Sequence, residues 1–255
     1  MKIFKIIASF LLLFGILALM VWAGIRASDQ TCTGISILIH APENPELLTK
    51  SDISDILQQH HTTWEGKKIK EIDPAEIHKI LAKENYIKSV DKVHLSGSKL
   101  QIEVTLYDIL LEVNTKAGEK FLLDVNGTYL PYSPKTGNDV ITATGAIPYT
   151  FRKKETITPE NNELYQLFTV ASLIKKDPFY ADLFHKISIN NKQEVILHPS
   201  YGNIDVVFGT TQDAENKLKT LRYMYNEVLP YMSENKYAQL DVRFKNRIVA
   251  KKNKS

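Results

Sequence analysis

The side chains that most often do chemistry, histidine and cysteine, are present in this sequence but not at spacings typical of an active site. The chain has seven histidines and one cysteine. Adjacent His60 and His61 would point to different faces of a helix, and no His-Glu-x-x-His arrangement occurs. Cys32 has no second cysteine with which to form a disulfide, a metal site or a redox pair. These patterns predict no metal centre and no cofactor.

Motifs for a nucleophile or for phosphate binding are missing as well. No Gly-x-Ser-x-Gly elbow occurs, and Gly66-Lys67 lacks the upstream glycine of a phosphate-binding loop. Scattered carboxylates could still converge in the fold, so an exported hydrolase with an unrecognised site stays open as an alternative. The sequence otherwise predicts a protein that is not an enzyme, has no small-molecule substrate and works by binding partners.

The overall charge excludes one large class of partner. The formal net charge is +3, with 32 basic and 29 acidic residues, whereas nucleic-acid binding needs a concentrated basic face. With 44% hydrophobic residues the composition is that of an ordinary folded protein. Basic side chains do crowd the C-terminus, where they can serve as a solvated tail: Arg243, Lys245, Arg247, Lys251, Lys252 and Lys254.

An apolar stretch near the N-terminus determines where the rest of the chain lies. Residues 6–26 supply about 20 apolar positions, roughly 30 Å of helix, which is the thickness of a bilayer core. Lys2 and Lys5 precede the stretch, so the positive-inside rule keeps residues 1–5 in the cytoplasm and exports the body. A cleaved signal peptide ending near Val21-Trp22-Ala23 is the alternative, but the apolar run is longer than such peptides have. The sequence therefore predicts a single-pass membrane protein.

The first part of the body has patterns of two helices and three strands. Thr49 can cap one helix, and Asp73-Pro74 opens another with an N-cap and a proline at the first helical position. Ser96-Gly97-Ser98 joins two strands in a hairpin, the second of which alternates apolar and polar residues. The predicted order is β-α-α-β-β, with strands at 35–39, 87–95 and 99–106. Both helices can cover one face of that three-stranded sheet.

The second part reads as a longer α+β domain. Asn126-Gly127 and Asn190-Asn191 mark turns between strands. Pro159, capped by Thr158, predicts a helix, and a further amphipathic helix begins near Gln212. The predicted strands run at 109–113, 120–124, 186–189, 194–198, 204–208 and 239–244, and a hairpin partner continues through Ile248 and Ala250. A strand at the terminus is easily left at a sheet edge, where its free backbone groups can pair with an incoming strand.

The order of these elements and several short motifs resemble the FtsQ/DivIB family of bacterial division proteins, over nearly the whole chain. The quoted motifs are Lys99-Leu100-Gln101-Ile102-Glu103-Val104, Asp124-Val125-Asn126-Gly127, Gly145-Ala146-Ile147-Pro148, Val206-Val207-Phe208-Gly209, Lys217-Leu218 and Leu240-Asp241-Val242-Arg243-Phe244. Two positions depart from the family pattern. Leu106-Tyr107-Asp108-Ile109 stands where many members have Glu-Arg-x-Pro, and Arg247 stands where a turn glycine is common.

The resemblance implies a fold and a domain plan. The fold class is α+β: a transmembrane helix at 6–26, a POTRA domain at 33–107, a larger mixed α/β domain, called β, at 108–250 with a C-terminal edge strand, and a basic tail at 251–255. The resemblance also implies an inner-membrane protein of the division septum whose body is periplasmic. Its POTRA domain would help to recruit it to the division site.

The same resemblance implies partners and a binding site. The partners are an FtsB/DivIC-type protein, an FtsL-type protein and, through them, the septal wall synthase complex. Contacts carried over to this chain are Arg243, Phe244, Asn246, Ile248 and Lys251. The competing interpretation places Phe244 in the core and leaves the basic residues as a solvated end.

A further alternative is a POTRA-bearing module of an outer-membrane assembly or secretion system. Such a protein is expected to have repeated POTRA units or a C-terminal barrel of alternating strands. The two helices predicted at 159–175 and 212–229 argue against a barrel.

Overall fold

The computed structural model describes most of the chain as two compact units. The described residues are 11–20, 31–41, 47–60, 64, 66–137, 140–201, 204–231, 237–245 and 247–252. Unit 1 comprises Met1–His40 and Leu48–Leu106, and unit 2 comprises Ala41–Leu47 and Tyr107–Ser255. Each unit has its own hydrophobic core cluster.

Residues 11–20 form an exposed helix (α1) inside the stretch predicted to span the membrane. Among the described residues, no helix combines the length and hydropathy needed to cross a bilayer. Residues 1–10 and 21–26, which comprise the predicted tail and the rest of the predicted span, lie outside the described residues.

Unit 1 has the predicted β-α-α-β-β order. Its strands form a three-stranded sheet in the order β1-β3-β2, with β1 parallel and β2 antiparallel to the central β3. The elements are β1 (Gly34–His40), α2 (Lys50–Gln59), α3 (Pro74–Leu81), β2 (Ile87–Ser96) and β3 (Lys99–Leu106). In β3 the alternation is realised, because Leu100, Ile102 and Val104 are fully buried while their neighbours are not.

Local capping explains where the helices of unit 1 begin. The Thr49 hydroxyl accepts a hydrogen bond from the Asp52 backbone N–H at 3.2 Å, and the Asp52 carboxylate accepts one from the Thr49 N–H at 2.7 Å. Asp73 caps α3 by accepting from the Ala75 N–H at 2.8 Å. Cys32, which directly precedes the predicted POTRA domain at 33–107, is buried in the core of unit 1.

Unit 2 is built on a nine-stranded mixed sheet in the order β12-β11-β10-β9-β8-β7-β4-β5-β6. The strands are β4 (Ile109–Asn114), β5 (Lys120–Asp124), β6 (Tyr129–Pro131), β7 (Ile141–Gly145), β8 (Lys186–Ile189), β9 (Val195–His198), β10 (Asp205–Gly209), β11 (Tyr237–Asp241) and β12 (Val249–Lys252). The helices are α4 (Asn162–Lys175), α5 (Pro178–Leu183) and α6 (Ala214–Tyr223), the last continuing through a π turn at 224–228 and a 3₁₀ turn at 229–231.

The core of unit 2 lies on one face of this sheet. Ile187, Leu197, Val206 and Leu240 occupy matching register positions on β8 to β11 and are buried in one cluster with residues of α4 and α6. Since side chains alternate along a strand, the residues between them point to the opposite face. That face includes the polar side chains of Ser188, His198 and Asp205 beside the apolar Ile196 and Val207.

The Asp-x-x-Gly motif of the sequence is a tight turn between β5 and β6. The carboxylate of Asp124, itself buried, accepts hydrogen bonds from the backbone N–H groups of Asn126 at 3.0 Å and Thr128 at 2.7 Å. Gly127 has a φ of +79°, and a Cβ there would come within 2.6 Å of an Ile157 side-chain carbon. The motif is therefore explained by the hydrogen bonding and close packing of the turn.

Several predicted elements differ from the observed ones. The helix predicted from Pro159 begins at Asn162, because Thr158 and Asn161 first form a turn in which the Asn161 N–H donates to the Thr158 carbonyl at 2.9 Å. The strand predicted at 239–244 runs over Tyr237–Asp241 instead. The short strands β6 and β7 and the helix α5 were not predicted from the sequence.

Candidate partner-binding edge at the C-terminus

The C-terminal strand β12 forms one edge of the nine-stranded sheet. It pairs antiparallel with β11, Ala250 opposite Leu240 and Lys251 opposite Gln239. Within the described part of the chain, no strand pairs with the other side of β12. Every second backbone group of such an edge points away from the sheet and can accept or donate a hydrogen bond to an added strand.

The side chains of β12 divide between the two faces of the sheet. Ala250 lies opposite the buried Leu240 and packs partly against the core of unit 2. By alternation, Val249 and Lys251 lie on the opposite face, and both are exposed. The strand is thus attached to the core through little apolar surface.

Phe244 lies in the segment between β11 and β12 and is 41% exposed. Two guanidinium groups flank its ring, that of Arg247 at 5.0 Å from the ring centroid and that of Arg243 at 6.0 Å. The interpretation that Phe244 is a core residue is therefore wrong. The neighbouring Val242, in contrast, is buried, and its N–H donates to the Val207 carbonyl at 3.1 Å.

Arg243 is held by two carboxylates. Its Nε donates to Asp241 Oδ1 at 2.9 Å and its Nη2 to Asp241 Oδ2 at 2.5 Å, and its Nη1 is paired with Glu194. Glu194 in turn accepts a hydrogen bond from the Asn190 side chain at 2.9 Å. The guanidinium thereby links the C-terminal segment to the hairpin between β8 and β9.

These contacts shift the protonation equilibria of the three charged groups. The hydrogen bonds from Arg243 lower the pKa of Asp241. The hydrogen bond from Asn190, followed by that from Arg243, lowers the pKa of Glu194. The Asp241 carboxylate raises the pKa of Arg243. All three groups therefore stay charged at neutral pH.

Gly209, at the end of β10, makes room for the Arg243 side chain. A Cβ at this position would lie 2.7 Å from Arg243 Cγ and 3.0 Å from its Cδ. The φ of +77° is also one that residues with a side chain rarely adopt. The glycine that closes the Val-Val-Phe-Gly motif is thus required by the packing of the C-terminal segment.

A groove of about 670 Å³ lies between α6, the loop before it and the segment 242–245. Lys217 lies in this groove, and its ammonium donates to the Thr210 carbonyl at 2.8 Å and stands 5.1 Å from the Phe208 ring centroid. Burial lowers the pKa of Lys217. The wall of the groove that is nearest to β12 in sequence is formed by Val242, Arg243, Phe244 and Lys245.

The five residues assigned to the site from the sequence have different placements. Arg243 and Phe244 stand together beside the groove, Ile248 packs partly against the core, and Lys251 is exposed on β12. Asn246 lies outside the described residues. Sequence reasoning missed Glu194 and Lys217 as members of this region. Lys217 belongs to the Lys217-Leu218 family motif, but nothing in the sequence connects Glu194 with the C-terminus.

Two family models match the chain. One, described as FtsQ/DivIB, C-terminal related, matches residues 110–251, which is more than half of the 255 residues. The other, described as a POTRA-like domain, matches residues 30–105. No curated protein matches the chain. The first match includes the groove, the Arg243 contacts and nearly all of β12.

Proposed function

This chain belongs to the FtsQ/DivIB family of cell-division proteins, and we propose that its role in division is that of a scaffold, without a catalytic step, which captures another division protein on its β12 edge. The partners proposed are an FtsB/DivIC-type protein paired with an FtsL-type protein, which connect the scaffold to septal wall synthesis. The observation that carries the proposal is that β12 ends the nine-stranded sheet and, among the described residues, has no strand on its outer side.

Backbone pairing supplies affinity in this mode of binding, and side chains supply specificity. Phe244 offers an exposed aromatic anchor next to the edge, and Arg243 and Arg247 border it with positive charge. Aromatic and arginine side chains are the residues that most often dominate binding energy at interfaces. Arg247, with Lys251 and Lys252 on β12, would favour an acidic partner segment and speed its association.

Preorganisation of the segment supports the same proposal. Arg243 is already fixed by Asp241 and Glu194 and lies across Gly209, so little side-chain freedom is left to lose on binding. Binding is stronger when the ordering cost has been met in the free protein. The Arg243 guanidinium, 6.0 Å from the Phe244 ring centroid, is thus ordered beside the proposed anchor before a partner binds.

The proposed location is the inner membrane at the division septum, with the apolar stretch 6–26 as anchor and both units in the periplasm. The support is the length of the stretch and the position of Lys2 and Lys5 before it. Protease treatment of spheroplasts is expected to digest the body and leave a short cytoplasmic N-terminus. Protection of the body would reject this topology.

Replacement of Phe244 by glutamate tests the binding site. A central aromatic anchor typically contributes 2 kcal/mol or more, so F244E is expected to weaken binding of the partner's extracytoplasmic segment by about 30-fold or more. Isothermal titration calorimetry measures the affinity, and circular dichroism checks that the body stays folded.

Tyr165 supplies a matched control. It is an aromatic residue of similar exposure, 37%, but it lies on α4. Y165E should bind the partner as the unchanged protein does. Equal affinity of folded F244E and the unchanged protein would count against the proposed site, and depletion without filamentous or chained cells would count against the division role.

A further inference from the structure

Ser188, His198 and Asp205 lie close together on the face of the unit 2 sheet that is opposite the helices. They belong to three adjacent strands, β8, β9 and β10. Their chain neighbours Ile187, Leu197 and Val206 are buried in the core, so these three side chains point away from the helices. None of them belongs to the C-terminal segment described above.

The three side chains form a continuous chain of hydrogen bonds. Ser188 Oγ lies 2.8 Å from His198 Nε2, and His198 Nδ1 lies 2.8 Å from Asp205 Oδ1. An ionised carboxylate can only accept, so in the neutral imidazole Nδ1 carries the proton and Nε2 has a free lone pair. Ser188 therefore donates its hydroxyl proton toward His198.

This is the arrangement by which serine hydrolases activate a hydroxyl. A serine is a weak nucleophile until an adjacent base can take its proton, and the base is held in the right tautomer by a third group. His198 stands in the position of that base and Asp205 in the position of the orienting group. The triad is recognised by geometry and roles, and its residues need not follow a particular sequence order.

The group is also accessible. The side chains of His198 and Asp205 are 28% and 49% exposed, and Ser188 is half-buried between them and β7. His198 and Asp205 are thus in contact with solvent, and Ser188 is partly buried.

A second serine-histidine pair in the chain lacks the third member. His185 Nδ1 lies 2.6 Å from Ser200 Oγ. In the described part of the chain no carboxylate contacts the other nitrogen of His185. Nothing there fixes the tautomer that would make the histidine a base, so Ser200 serves as an internal comparison.

We propose that Ser188 is an acyl-accepting nucleophile, with His198 as its general base and Asp205 as a positioning residue. Its substrates are small activated esters. Ser188 Oγ attacks the ester carbonyl carbon while its proton passes to His198 Nε2. The carbon–oxygen bond to the leaving group then breaks, and the departing alkoxide takes that proton. Water, deprotonated by His198, hydrolyses the acyl-serine and restores the hydroxyl.

The surroundings of Ser188 limit the reaction to reactive substrates. Backbone N–H groups within a paired strand are used by the ladder, so they do not form the usual oxyanion hole. Donors at neighbouring register positions are the side chains of Thr144, opposite Ser188, and Lys186, opposite His198. Side-chain donors of this kind favour esters with good leaving groups over amides.

A fluorophosphonate probe, which reports nucleophilic serines, tests the proposal on the full-length protein in detergent. Labelling is located by peptide mass spectrometry and its rate is measured over time. We expect label on Ser188 and not on Ser200, and hydrolysis of p-nitrophenyl acetate at a slow, measurable rate. Absence of label from Ser188 would overturn the proposal.

Variants assign the roles. S188A should lose both the label and the hydrolysis, and S200A should retain both. General base catalysis contributes roughly 100-fold or more, so H198Q should slow labelling by at least about that factor. For Asp205 the test is rescue: D205N should slow labelling about 10-fold or more, and D205E should recover most of it. Labelling that is equal in H198Q and the unchanged protein would overturn the proposal.

This experiment is independent of the proposed division function. S188A leaves the C-terminal edge intact, so it should capture the partner normally. F244E should likewise be labelled at Ser188 at the normal rate. Failure of one set of results therefore says nothing against the other.

Discussion

Glu194 shows how a single distant side chain can control the C-terminal segment. It pairs with Arg243 from 49 residues away in the sequence, while its other oxygen is held by Asn190. A partly exposed ion pair is worth about 0.5 to 1 kcal/mol. E194Q is therefore expected to weaken partner binding roughly two- to fivefold, because Arg243 then keeps only Asp241 as an ionic partner. Isothermal titration calorimetry measures the affinity. Glu155, paired with Arg152 at 3.6 Å on an exposed turn, supplies the control, because E155Q should not change the affinity.

The stability that the Glu194–Arg243 ion pair adds to the fold should depend on pH. Hydrogen bonding lowers the pKa of Glu194 in the folded protein. A carboxyl with a depressed folded-state pKa adds stability above its unfolded pKa, about 4.3, and loses it as the pH falls through the folded value. The difference in urea stability between the unchanged protein and E194Q should be constant from pH 8 to about 5 and shrink below about 4. A difference that grew in acid would contradict the assigned ion pair.

At the scale of elements, β12 carries the proposed binding site but contributes little to the core. Its only partly buried side chain is Ala250. Deletion of residues 249–255 should therefore abolish partner capture while α4 and the central strands stay folded, with a thermal midpoint lower by a few degrees. Pull-down with the partner segment and circular dichroism measure the two effects. Deletion of 253–255 alone is the matched control and should bind normally, and capture by the longer deletion would refute pairing at this edge.

Elements with local signals were predictable from the sequence. Such signals depend on residues that are only a few positions apart. The structure has each of those predicted: the caps at Thr49 and Asp73, the Ser96-Gly97-Ser98 turn and the alternation of β3. The end of β11 was not predictable in the same way. Apolar alternation continues to Phe244, but the strand ends at Asp241, whose carboxylate accepts the Arg243 N–H at 3.1 Å and turns the chain.

The candidate sites were predictable only where a motif carried them. Arg243 and Phe244 were located by a family motif, whereas Glu194 was not, because its contact depends on how β9 and β10 are arranged in the sheet. The triad of Ser188, His198 and Asp205 was missed for the same reason. Its members come from three strands without a shared motif, and only the sheet register brings them together.

At the scale of the whole molecule, the two core clusters have no residue in common. Ile102, on the central strand of unit 1, is fully buried, and its truncation to alanine should cost unit 1 about 2 to 5 kcal/mol. Hydrogen exchange measured by mass spectrometry should then show lost protection in β2 and β3. Protection in α4 of unit 2 should stay unchanged, because none of the contacts of its core is removed. Glu103, the next residue along β3, points to the opposite face, so E103A should leave both patterns intact. Equal loss of protection in both units would show that they unfold as one cooperative body, and the edge site would then depend on the core of unit 1.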